Sequence, residues 1–274
     1  MSFSGIPVLN YHAIDDQPLA QTRNVSVSLS AFKEQAAWLH SEGYTSVTVQ
    51  ELRDLLLKKK KPQGKHVLFT FDDGYHSLYT HGLKVLSEYG FTATLFLSTA
   101  YIGHAYGLKD FAFVNHDRQL SWEEISTLSA NGWSIQSHGN NHVKMTIIDL
   151  KALAEEVRIS KALIEQNLGT LVDEFAFPYG IYNKNVLDQL KLAGYKFAYS
   201  VHSGKLYPSS NPYRLPRIEI NNMDTMDTFK TKVLTGYISP QNARRSKIRD
   251  IIYANASVKD MIEKWTPKFG FGNH

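Results

Sequence analysis

The chain has 274 residues, 43% hydrophobic, 20% charged and 12% aromatic, the composition of an ordinary globular protein with enough apolar side chains for a sizeable core. Disorder and collagen-like architectures are excluded. The net charge of +4 includes one basic run, Lys58 to Lys61, that reads as a solvated helix end and gives no ground for nucleic-acid binding, and the lack of cysteine excludes disulfides, thiolate nucleophiles and Cys-type zinc sites.

From about residue 6 onward, short apolar runs alternate with longer stretches at helical spacing. The pattern predicts strands over 7–11, 67–71, 94–98, 133–136, 174–177, 197–200 and 215–220, with a weaker one over 46–49. Between them it predicts helices over 30–41 with Ser30 as N-cap, then 49–59, 77–89, 121–130, 150–168, 183–192 and 226–234. Gly43, Gly90, Gly132, Gly169 and Gly194 each stand where a C-terminal cap places glycine.

Seven or eight strands alternating with helices predict an α/β fold, either an open doubly wound sheet or, as preferred here, a parallel barrel. In such folds function collects at the C-terminal ends of the strands. The 100–120 segment, carrying His104, His116 and Asp117, reads as a rim loop. From residue 246 the chain reads as an amphipathic helix with a frayed end, which divides it into a domain over 1–245 and an extension over 246–274. No run approaches about 18 apolar residues, so no membrane span is expected. The N-terminus has neither a basic region nor an apolar one, so the expectation is a cytoplasmic protein or an exported one whose signal was removed.

Phe69-Thr-Phe-Asp-Asp-Gly74 places two carboxylates where an apolar strand ends. Neighbouring side chains on extended backbone point apart, so Asp72 and Asp73 suit different tasks, one facing a metal and the other a reacting water. A solvated Asp-Asp-Gly turn is the plainer alternative. In Ser137-His-Gly-Asn-Asn-His142, His138 and His142 are four apart. In a helical turn they would share one face, about 5–6 Å apart at Cβ, close enough for one divalent ion.

Both segments end on the same rim of a parallel barrel, where Asp73, His138 and His142 would offer one oxygen and two nitrogens and leave positions open for water and substrate. Val8-Leu-Asn-Tyr-His12 is a strand ending in histidine, and Phe175-Ala-Phe-Pro-Tyr-Gly180 ends in a turn whose amides, Tyr179 among them, could face an oxyanion. Loop capping by His12 and plain packing of the Phe-Pro-Tyr turn are the alternatives. His76, His81, His104, His116 and His202 read as surface or supporting residues, and Trp122, Trp133, Tyr179, Tyr182 and the aromatics over 101–113 as rings for a sugar face or for the core. A two-His-one-carboxylate set also serves non-haem iron oxygenases, a reading that the strand-helix alternation disfavours.

Thr70-Phe-Asp-Asp-Gly74, Ser137-His-Gly-Asn-Asn-His142 and Phe177-Pro-Tyr-Gly180, in this order, resemble the first three motifs of the polysaccharide deacetylases, the NodB-like carbohydrate esterases of family four. The resemblance implies a distorted (β/α) barrel with one divalent metal, zinc first and nickel, cobalt or iron as alternatives, held by Asp73, His138 and His142, with Asp72 as general base. The histidine acid that usually follows the third motif has no counterpart downstream. Leu9-Asn-Tyr-His12 looks like that strand moved to the front, as in the subgroup acting on poly-β-1,6-N-acetylglucosamine, which makes His12 the expected general acid. The arginine that commonly stands two positions before the motif's proline is here Ala176, with Arg217 a candidate to replace it.

The expected activity is release of acetate from an N-acetylhexosamine-containing polysaccharide. The alternatives are a deformylase or O-acetyl esterase on a lipid-linked sugar, and a glycan-binding module without catalysis.

Overall fold

The computed structural model describes residues 3–17, 24–104 and 118–239. In chain order the elements are β1 (Ile6–Tyr11), β2 (Ala13–Ile14), β3 (Ser26–Val27), α1 (Leu29–Ser41), β4 (Tyr44–Ser46), α2 (Val49–Leu57) and β5 (Lys65–Asp73). A π-helical turn (Leu78–Gly82) leads into α3 (Leu83–Glu88), followed by β6 (Ala93–Leu97), α4 (Trp122–Ala130), β7 (Ser134–Ser137), α5 (Leu150–Leu168) and β8 (Glu174–Ala176). The chain continues through α6 (Lys184–Leu192), β9 (Phe197–Tyr199), β10 (Lys205–Leu206), β11 (Ile218–Glu219) and α7 (Met226–Thr235). The predicted extension over 246–274, His116 and Asp117 lie outside the described residues.

The caps explain why these stretches are helices. Thr48 with Glu51 and Ser121 with Glu124 form reciprocal capping boxes, and Gly169 and Gly236 end α5 and α7 in left-handed conformation. Helix α1 starts earlier than expected because Ser28, not Ser30, accepts the Ala31 amide.

Strands β1, β5, β6, β7, β8 and β9 lie side by side in parallel. Strand β11 pairs with β1 in parallel, β10 pairs with it antiparallel, and Leu215 bridges to Tyr199 on β9. The 212–220 segment thereby links both edges and closes a distorted (β/α) barrel. The expected strand over 215–220 is shorter than its apolar pattern because Pro216 has no N–H to donate. Strands β2, β3 and β10 span two residues each, too few for any periodicity to show.

Alternation along the strands separates two apolar layers. Leu9, Tyr11, Phe69, Phe71, Leu95 and Ile135 pack in the larger cluster with residues of the flanking helices, among them Phe32, Ile125 and Val157. Val8, Leu68, Phe96, Ala176 and Tyr199 pack in the second with Leu52, Leu55 and Leu56 of α2. Thr70, Asp72 and Asn10 continue this second line toward the C-terminal rim.

One buried polar group gives the fold a pH dependence. Burial first, with the Asp173 charge adding to it, pushes the Glu174 carboxyl up to about 7 although the Tyr199 hydroxyl donates to it at 2.7 Å. An acid whose folded pKa exceeds its unfolded one contributes its full stability below the unfolded value and loses it as pH rises through the folded value. Between about pH 5 and about pH 8 the folded protein is therefore expected to lose about 3 kcal/mol through this group. Glu174→Gln should flatten the thermal midpoint over that window, with wild type and variant converging in acid; parallel curves would refute the assignment.

Candidate metal centre and catalytic site

Register brings the site together. Leu9 to Tyr11 pair with Phe69 to Phe71, so the next step brings His12 level with Asp72. Asp73 pairs with Leu97, Leu97 with Ser137 and Ser137 with Phe175, so His138 and Ala176 stand one residue beyond a common row. Asp73, His138 and His142 each offer a ligand atom within 4.8 Å of the others, and all three side chains are buried.

The two aspartates diverge more sharply than a pleat alone would require. Asp72 is extended and inward, whereas Asp73 has φ 74°, which turns its carboxylate toward the histidines. The two histidines do not meet on a helical turn, as their spacing suggests, but across a bend in which Gly139 has φ 80° and His142 has φ 50°. Glu156 on α5, unforeseen from sequence, holds that bend: its carboxylate accepts from the Asn140 amide at 2.8 Å and from the backbone and side chain of Asn141 at 2.9 Å and 2.6 Å. Of the four described non-glycine residues with positive φ, Asp73, His142 and Tyr179 belong to this site. Such strain persists where the surrounding structure enforces it, commonly at functional centres.

Asp73 Oδ1 is buried without a hydrogen-bond partner, 3.5 Å from His138 Nε2 and 3.4 Å from His142 Nε2. His138 Nδ1–H donates to the Ala176 carbonyl at 2.8 Å, which leaves Nε2 with its lone pair toward Asp73. Ala176 thus serves through its backbone at the place where an arginine side chain was expected.

Burial first, and the adjacent Asp72 charge second, push the Asp73 carboxyl well above its ordinary range. Burial lowers His138 to about 4 and holds His142 well below its usual value. One carboxylate and two neutral imidazoles, desolvated and converging, form a donor set that a divalent cation satisfies with ligation positions to spare.

Arg217 answers the question raised by Ala176. It is 1% exposed and grips Asp72 with both ends of its fork, Nη1 to Oδ1 at 2.7 Å and Nη2 to Oδ2 at 2.8 Å. Its Nη1 also donates to Asn10 Oδ1 at 2.9 Å and its Nε to the Ser200 carbonyl at 3.1 Å, so the guanidinium is fixed from three strands' ends. Burial alone would raise the Asp72 carboxyl, but the Arg217 guanidinium, with His138, outweighs it and holds Asp72 well below the usual carboxylate range.

His12 Nδ1 is buried without a hydrogen-bond partner among the described residues. Burial lowers the imidazole's pKa, with Asp72 opposing and Arg217 adding to the effect. On the other side the Tyr179 ring lies against His142, centroids 4.7 Å apart, and Lys144 Nζ sits 5.5 Å from the Tyr179 centroid. Two aromatics considered for a sugar face are core instead: Trp133 stacks on Phe71 at 5.2 Å and Tyr182 on Phe177 at 4.6 Å. Asn10, Glu156 and Arg217 were beyond local sequence signals, since each acts through a partner more than fifteen residues away or on another element.

The family model for polysaccharide deacetylases matches residues 59–198. The poly-β-1,6-N-acetyl-D-glucosamine N-deacetylase of Staphylococcus aureus is 28% identical over 211 residues, covering 74% of this chain and 70% of that protein. A polysaccharide deacetylase structure from Bacillus cereus has a TM-score of 0.71 at 26% identity, covering 84% of this chain and 69% of that one. The Streptococcus pyogenes deacetylase PplD, solved with acetate, has a TM-score of 0.74 at 24% identity over 84% of this chain and 98% of its own, a likeness of fold.

Proposed function

The chain belongs to the polysaccharide deacetylase family, and from that premise we propose that it is a metal-dependent hydrolase removing N-acetyl groups from an N-acetylhexosamine polysaccharide. The observation that carries the reading is the unpartnered Asp73 Oδ1 facing two imidazole Nε2 atoms. The similarity to a relative named for poly-β-1,6-N-acetyl-D-glucosamine supports the glycan class.

Asp73, His138 and His142 would hold the ion. When bound, a divalent cation polarises the amide carbonyl and lowers the pKa of water toward about 7. Asp72, kept anionic and aimed by Arg217, accepts the proton of the attacking water. The Tyr179 backbone N–H, at the turn with φ 59°, is our candidate donor to the developing oxyanion. His12, protonated, gives its proton to the departing nitrogen; its lowered pKa makes that imidazolium a strong acid. The products are acetate and a free amine on the sugar.

Acetate release from a soluble β-1,6-linked N-acetylglucosamine oligomer tests the proposal. Asp72→Asn keeps the shape of the side chain but removes the base, and is expected to lower the rate by about 10²–10⁴. Release at the wild-type rate in that variant would remove Asp72 from the chemistry.

A further inference from the structure

A second cavity, of about 550 Å³, opens on the outer side of the barrel seam, between the chain leaving β9 and the end of α7. Its volume falls in the range of small-molecule sites. None of the metal-binding or proton-transfer residues lines it. Among the described residues its wall carries the basic side chains of His202, Lys205 and Arg214 and the rings of Tyr182, Tyr207 and Tyr237, and no carboxylate.

Two of these cations are poorly compensated. Lys205 is 8% exposed, and its Nζ makes one long contact of 3.4 Å, to the Ser4 carbonyl. Burial lowers the pKa of this lysine, as desolvation without an anionic partner requires. Arg214 lies over the Tyr182 ring at 5.7 Å, and its Nε is buried with no hydrogen-bond partner. A desolvated guanidinium and ammonium on one wall, without an acid opposite, form a site complementary to an anion.

The rings narrow the choice of anion. Tyrosines offer flat apolar faces with a polar edge, the surface that the C–H face of a sugar ring covers while its hydroxyls bond to Ser and Asn side chains of the kind found here, Ser210 and Asn211. We infer that this cavity is a carbohydrate subsite for an anionic sugar, a pyranose ring bearing a carboxylate or a phosphate. The site goes beyond the deacetylation reading, because it adds recognition of an acidic substituent to a centre that acts on a neutral amide.

Isothermal titration of the full chain with glucuronic acid, N-acetylglucosamine 6-phosphate, N-acetylglucosamine and inorganic phosphate tests the inference without depending on turnover. At least one anionic sugar should bind at least about tenfold more tightly than the neutral sugar and than inorganic phosphate, and which one does so identifies the acidic group. Arg214→Gln should weaken that binding about tenfold. If this variant does not fold, Lys205→Gln asks the same question from the neighbouring position. Binding that survives both substitutions lies elsewhere, for instance at the metal centre, and overturns the assignment. Equal affinity for neutral and anionic sugars, or for free and sugar-borne phosphate, overturns it as well. Loss of acetate release with the anionic-sugar binding intact would refute the deacetylase reading alone.

Discussion

Asp73→Ala and His138→Ala should each purify with little bound divalent metal and release acetate at about one-thousandth of the wild-type rate or less. Lewis-acid stabilisation is worth several kcal/mol in the transition state, and about 4 kcal/mol corresponds to a thousandfold. Metal analysis beside the rate measurement separates loss of the ion from loss of a proton carrier. Full metal occupancy in both variants would mean that the three side chains do not share an ion, and the proposed chemistry would fail with them. A second consequence has the opposite sign. In metal-free protein the Asp73 carboxylate is buried, its pKa raised by desolvation and by Asp72, so Asp73→Asn should leave the chelated protein as stable as wild type or more so. The same substitution should abolish the stabilisation that added metal brings to wild type.

Arg217→Met should be the most damaging single change outside the metal ligands. It leaves the Asp72 charge buried, with Asn10 and the Ser200 carbonyl deprived of their shared donor. Removing one partner of a buried ion pair costs about 3–5 kcal/mol. Activity should fall by about 10²-fold as well, since groups that orient a reacting side chain from behind carry effects of that size. The double variant Asp72→Asn with Arg217→Met distinguishes pairing from packing. If the cost arises from an uncompensated charge, neutralising Asp72 should recover most of the lost stability while activity stays low. Simple addition of the two losses in denaturant unfolding would instead mean that Arg217 contributes by filling space over the Phe96 ring, 5.6 Å away.

Much of the site was legible because its parts are short and local. Asp-Asp-Gly, His-x-x-x-His and Pro-Tyr-Gly each follow a strand, and in a parallel barrel all such ends open on one rim. The route by which they converge was less visible. A four-residue spacing suggests a helical turn, yet His138 and His142 meet across a bend fixed by Glu156, a residue whose buried position on α5 looks in sequence like any acidic helix position. In the same way Tyr182 and Trp133 look like exposed sugar platforms until packing commits them to the core.

By itself the sequence determined the α/β alternation, the helix caps and the identity of the three candidate metal ligands, because periodicity, capping and short motifs depend on neighbours within a few residues. Only the tertiary structure decided what pairs with Asp72. Arg217 lies 145 positions away in the chain, and its selection over every other arginine required the 212–220 segment to close the barrel between β9 and β1. Charge pairing in a buried site acts over a few ångströms of space, and only closure of the barrel converts that distance along the chain into contact.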